Sequence, residues 1–190
     1  MHIADSNRDL DAALVGDEPI PRERVLLWIE AASDLPTLSK LYRLTGESYY
    51  RIQPDLGKDT TCGLIQRYLL ECIRQNVADN EDIEGRWEAA QSLHAWFRKL
   101  VEMKDTADVL NSAVHAVTEL FLASGEDVRG TIEQGFLEHA LETAALRPYF
   151  EFWARDDRLR GAWNRALKWG QAHPNYTWEM LQRIRRIQEE

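Results

Sequence analysis

The stretch RGTIEQGFLEHALETA, residues 129–144, shows the pattern that decides the fold class. On a helical wheel at about 100° per residue, its apolar side chains fall on one broad arc that includes Ile132, Phe136 and Leu141. Apolar residues that recur at this spacing predict an amphipathic α-helix. Glu138 and Glu142 fall on the opposite side of the wheel, where we expect solvent-exposed charges.

Arg129 and Glu133 depart from this pattern, because both fall on the apolar arc, one turn apart. Charged residues are rarely buried unless they are paired, so the sequence predicts a partly buried ion pair between them. A second interpretation stays open, in which Glu133 lines a polar pocket floored by alanines. His139 lies about 120° from Glu133 on the wheel, too far round to act with it. We expect His139 and His94 to be core histidines, and His115, which lies away from the apolar arc of its own helix, to be exposed.

The same helical periodicity runs through most of the chain, and no alternating strand of useful length occurs. Short links between the segments favour antiparallel neighbours. We therefore predict an all-α fold: a single domain, residues 1–190, of about eight helices, packed as a bundle or a short HEAT-like solenoid, with residues 1–18 as a mobile N-terminal segment. The helices are expected at about 21–33, 35–45, 60–77, 81–103, 106–123, 126–145, 156–172 and 176–189.

Charge and hydropathy limit the classes of partner. The 190-residue chain has a net charge of −9, and because residues 155–190 carry +3, the remainder carries −12. Such an acidic body repels nucleic acid and attracts a basic protein partner, although net charge also serves solubility alone. No apolar run is long enough to span a membrane, and the N-terminus lacks the features of a signal peptide. We expect a cytoplasmic protein without a membrane partner.

Motifs that carry chemistry are missing from the sequence. There is no HExxH, and Cys62 and Cys72 lie ten residues apart within one predicted helix, without metal-ligand spacing. The sequence therefore predicts no catalytic residue, no metal and no cofactor. Tyr49 and Tyr50, in a loop punctuated by proline and glycine, and Trp163, in the basic C-terminal stretch, could contact a partner. Each could equally pack onto the core.

Three quoted runs carry a family resemblance: GFLEHALE (135–142), LRPYFEFW (146–153) and LRGAWNRALKWG (159–170). This last third of the chain resembles small all-helical bacterial proteins, some of which are immunity proteins of polymorphic toxin systems. The resemblance implies a protein that binds and blocks a toxin, with no catalytic residues to carry over.

Together, the sequence favours a non-enzymatic, acidic protein-binding module, with an immunity-type inhibitor of a basic toxin as its specific form. Two alternatives stay open. One is a structural or adaptor protein of helical-repeat type, and the other is an all-α enzyme with a cryptic site around Glu133.

Overall fold

The computed structural model describes residues 3–77 and 82–172, and it confirms the all-α prediction. Two short strands, β1 (Ile20–Pro21) and β2 (Ile52–Gln53), pair in parallel. A predicted helix at 176–189 lies outside the described residues. The helices are α1 (Ile3–Val15), α2 (Arg22–Ala31), α3 (Leu35–Glu47), α4 (Lys58–Gln75), α5 (Arg86–Glu102), α6 (Ala107–Ala123), α7 (Glu126–Thr131), α8 (Glu138–Glu142), α9 (Arg147–Phe150) and α10 (Arg160–Ala172).

The chain divides into two compact units, an N-terminal unit of residues 1–89 and a C-terminal unit of residues 90–190. The N-terminal unit has 17 acidic and 10 basic residues, a net charge of −7, which leaves −2 for the C-terminal unit. Most of the net charge therefore belongs to the N-terminal unit.

The N-terminal unit has a core of leucines and large aromatic side chains from α2, α3 and α4. Trp28 and Tyr68 are buried in it, and Leu10 from α1 is buried as well. The start of α3 is fixed by Asp34, whose side chain accepts a hydrogen bond from the backbone N–H of Thr37 at 2.9 Å. This is the N-cap arrangement expected of aspartate.

The C-terminal unit is built around aromatic rings that meet edge to face. Phe97 from α5 lies edge-on to Phe136, with ring centres 4.9 Å apart, and Phe150 lies edge-on to Phe136 at 5.7 Å. Trp153 is fully buried, and its indole N–H donates to the hydroxyl of Thr118 at 2.9 Å. A satisfied indole N–H and offset rings are the conditions under which aromatic residues stabilise a core.

The helix predicted at about 126–145 is interrupted. Between α7 and α8, residues Ile132–Leu137 form a π-helical segment, in which the backbone N–H of Glu138 bonds the carbonyl of Glu133, five residues earlier. A π turn holds one more residue than an α turn. The residues after it are therefore rotated by about 100° relative to a regular helix. Ala140 and Leu141 after this segment are buried as predicted. The wheel fails for two charged residues, since Arg129 is exposed and Glu142 is largely buried.

Candidate functional site

Tyr49 and Tyr50 form an exposed aromatic pair in the N-terminal unit. They lie in a single 3₁₀ turn, Tyr49–Arg51, and their side chains are 66% and 65% exposed. The two rings meet edge to face, with centres 6.3 Å apart. Of the two outcomes left open by the sequence, packing onto the core is excluded for both tyrosines.

Arg51, the next residue, holds this turn in place. Its side chain is buried, with Nε donating to the carbonyl of Glu18 at 3.1 Å and Nη1 donating to the carbonyl of Ala13 at 2.8 Å. The adjacent Ile52 pairs with Ile20 across the two short strands. The tyrosine turn is therefore fastened to the end of α1 and to the segment that follows it.

The exposed side chains of the two segments that Arg51 joins define what we call the tyrosine surface. Apart from the tyrosines, it has an apolar member, Val15, which is 86% exposed, and three exposed acidic members. Among the described residues, no ion pair includes Asp17 or Glu18. The tyrosine surface consists of Val15, Asp17, Glu18, Glu47, Tyr49 and Tyr50.

The predicted ion pair between Arg129 and Glu133 is wrong, because Glu133 pairs with a different arginine. Glu133 is buried, as expected, but both of its carboxylate oxygens accept hydrogen bonds from Arg165 of α10, at 2.6 and 2.7 Å. Arg129 instead donates to the carbonyls of Phe121 and Leu122, both at 2.9 Å, at the C-terminal end of α6. Helix ends leave carbonyls without partners, and those carbonyls compete with Glu133 for the guanidinium.

Trp163 does not lie at the surface. It is 7% exposed, on the inner face of α10, so it is a core residue and cannot present itself to a partner without unfolding. The five candidate residues thus have different roles within their own units: two tyrosines on one exposed turn, two charged residues with separate structural partners, and one buried tryptophan.

A cluster that the sequence analysis missed joins His94 of α5 to His139 of α8. Their ring centres are 5.6 Å apart. Nδ1 of His139 lies 3.1 Å from Oε1 of Glu142, whose side chain is only 12% exposed. The prediction that Glu142 is a solvent charge is therefore wrong, because the π-helical segment rotates it toward the core. His139, by contrast, is half-buried rather than a full core residue.

His94 lies in an environment that favours its neutral form. Burial, and then the neighbouring His139 and Arg98, lower the pKa of His94 to about 4. Its Nε2 atom is buried and has no hydrogen-bond partner among the residues that the structure describes. Buried polar atoms without partners are uncommon in folded proteins and often mark the place of a water molecule or an ion.

A shallow groove of about 390 Å³ lies between α6 and α9 in the C-terminal unit. His115, which is exposed as its position on the predicted helix required, has its ring centre 6.0 Å from that of Phe152. The groove is open, and its lining mixes polar and apolar side chains without a buried charge. The lining residues are Asn111, Val114, His115, Pro148, Tyr149 and Phe152.

A buried polar cluster occupies the core of the N-terminal unit. The rings of Tyr42 and Tyr68 stack with centres 4.3 Å apart, and the hydroxyl of Tyr68 accepts a hydrogen bond from the backbone N–H of Glu84 at 3.1 Å. Burial raises the pKa of both tyrosines and raises the pKa of the fully buried Cys72 thiol to about 12. These groups stay protonated at neutral pH, so Cys72 is not a reactive thiol.

Comparison with protein-family models, curated proteins and solved structures found no match for this chain. Within residues 3–77 and 82–172, no three or more His, Cys, Asp or Glu residues are grouped so as to hold a metal ion. None of the helices in this part of the chain has the length and apolarity needed to cross a membrane.

Proposed function

We propose that the chain is an acidic protein-binding module and that the tyrosine surface is its contact region. The observation that carries the proposal is the exposure of two adjacent tyrosines on a turn that a buried arginine fixes in place. Solvated aromatic rings give no stability to the fold. At an interface, tyrosine and tryptophan supply most of the binding energy.

The anchoring of the turn makes the tyrosines efficient contact residues. Association costs conformational entropy when loops and side chains become ordered, and a surface that is already ordered avoids part of that cost. Arg51 and the pairing of β1 with β2 order the turn before any partner arrives. A tyrosine side chain has only two rotatable torsions, so it loses little conformational entropy on binding.

The charge of the N-terminal unit indicates a basic partner. Its net charge of −7 attracts cationic proteins over a distance set by the ionic strength. Asp17 and Glu18, in the segment that Arg51 joins to the tyrosine turn, add exposed carboxylates. Tyrosine faces also attract the guanidinium and ammonium groups of a partner. The resemblance of the last third of the chain to immunity proteins makes a secreted basic toxin the partner class that we favour.

The test uses the tagged chain to isolate its partner from the source cells, followed by binding measurements with the purified partner. We expect Tyr49→Ala and Tyr50→Ala each to weaken binding by at least about 10-fold, as interface hot spots do. Reversing both nearby charges, Asp17→Lys with Glu18→Lys, should slow association and flatten its dependence on salt.

Trp87 provides the matched control for the aromatic substitutions. It is 45% exposed in the same unit but lies on α5, outside the segments that Arg51 joins. Trp87→Ala should leave the affinity unchanged. Binding that survives loss of both tyrosines, or a partner that is itself acidic and binds independently of salt, would disprove the proposal.

A further inference from the structure

The rings of His94 and His139 each present an Nε2 atom that is available as a ligand. The carboxylate of Glu142 can only accept a hydrogen bond when ionised, so the proton of a neutral His139 lies on Nδ1, which faces it. The lone pair of His139 is therefore on Nε2. On the other ring, Nε2 of His94 is buried and has no partner among the described residues.

The separation of the two rings matches that of two ligands on one ion. An imidazole nitrogen binds Zn²⁺ at about 2.0–2.1 Å, which places the ring centre about 3.2 Å from the ion. Two such rings at a tetrahedral angle have centres about 5.2 Å apart, and at 120° about 5.5 Å. The observed separation is 5.6 Å.

The contact between His139 and Glu142 is the arrangement that supports a metal-bound histidine. Ligating histidines almost always donate their second N–H to a carboxylate or a carbonyl, which fixes the tautomer and raises the basicity of the ligating nitrogen. Glu142 lies 3.1 Å from Nδ1 and is largely shielded from solvent.

We propose that His94 and His139 together bind one divalent transition-metal ion, with Glu142 as a positioning residue behind His139. Imidazole ligands suit Cu²⁺, Ni²⁺ and Zn²⁺, and the affinity order should be Cu²⁺ first. Since the chain supplies two ligands, water fills the remaining positions, and the ion exchanges more readily than in a four-ligand structural site. The site lies in the C-terminal unit and is independent of the tyrosine surface.

The experiment titrates Cu²⁺, and separately Zn²⁺, into the full chain after treatment with a chelator. We expect one ion per chain, and an electron paramagnetic resonance spectrum of the Cu²⁺ form with splitting from two nitrogen ligands. His139→Gln, at a half-buried position that should tolerate the change, is expected to weaken binding at least about 10-fold. Glu142→Gln should weaken binding by about 10-fold or more, because removal of such supporting carboxylates costs about 10–100-fold.

His115→Gln is the matched control, since His115 is exposed and outside the pair. It should leave the stoichiometry, the affinity and the spectrum unchanged. The spectrum of the unaltered chain tests the pair without any substitution, so a His94 variant that fails to fold does not decide the matter. One nitrogen ligand, or a loss of binding in His115→Gln with none in His139→Gln, would overturn the proposal.

Discussion

Alkaline pH should destabilise the N-terminal unit through Cys72. The thiol is fully buried, and burial raises its pKa from 9.0 to about 12. Between these two values the unfolded chain has lost the proton and the folded chain retains it. The unfolded state then binds fewer protons, so the free energy of unfolding falls as the pH rises.

The size of the effect follows from the two pKa values. At pH 10, one unit above the ordinary value of 9.0, the contribution of Cys72 is a loss of about 1.4 kcal/mol. At pH 10 each of the two neighbouring tyrosines, whose ordinary pKa is 10.0, is half ionised in the unfolded chain and adds a loss of up to about 0.4 kcal/mol. Above it, because burial raises their pKa too, they add to the loss with the same sign.

Urea unfolding of the reduced protein at pH 8, 9 and 10 measures this loss in the free energy of unfolding. Cys72→Ala removes the thiol, so its free energy of unfolding should fall by about 1.4 kcal/mol less than that of the unaltered chain between pH 8 and pH 10. Cys62→Ala, at the other cysteine of α4, is the matched control and should keep the Cys72 contribution. Identical pH profiles for the unaltered chain and Cys72→Ala would refute the reasoning.

Three further substitutions test the packing, each measured by urea unfolding. Arg51→Met should lower the free energy of unfolding by about 2–3 kcal/mol, because two partly buried carbonyls lose their charged donor; a loss under about 1 kcal/mol would mean that the turn is not anchored. Glu133→Gln should cost only about 1 kcal/mol, since Arg165 is 65% exposed and regains water. Gly170→Leu should cost about 2–3 kcal/mol, because a Cβ atom there meets backbone 3.2 Å away. Gly161→Leu, on the same helix, should cost less than Gly170→Leu.

The all-α architecture could be predicted because it depends on local patterns. The start of α3 shows this, since Asp34, followed by a proline in the first turn, specifies an N-cap within four residues. The exposure of His115 was likewise predicted from its angle on a single helix. Such features need no knowledge of which helices touch.

The partners of charged residues could not be predicted, because they come from distant parts of the chain. Glu133 binds Arg165, 32 residues later, while the nearer Arg129 is taken by carbonyls at the end of α6. A helical wheel places a residue on a face but does not show which neighbour covers that face. The same limit concealed the approach of His94 to His139, which lie on separate helices.

The burial of Glu142 on α8 could not be predicted, for a different reason. Nothing in the residue types of Ile132–Leu137 marks a π turn, so a regular wheel was extended through it. The rotation of about 100° moves Glu142 from the predicted outer face to a largely buried position. A local pattern cannot report a change of helical period that tertiary packing imposes.

The extra residue in the π-helical turn also lets the continuous stretch from α7 to α8 pack against two helices, α6 and α10, on different faces. Before the π-helical segment, Arg129 contacts the end of α6; after it, α8 meets α10 so closely that a Cβ atom at position 170 would lie 3.2 Å from the backbone nitrogen of Glu142. Deleting the exposed Gln134 would restore a regular helix and force a choice between the two contacts. The π-helical segment therefore lets α7 and α8 keep contacts with two different helices. A one-residue deletion there should lower the free energy of unfolding more than a larger deletion in a nearby loop.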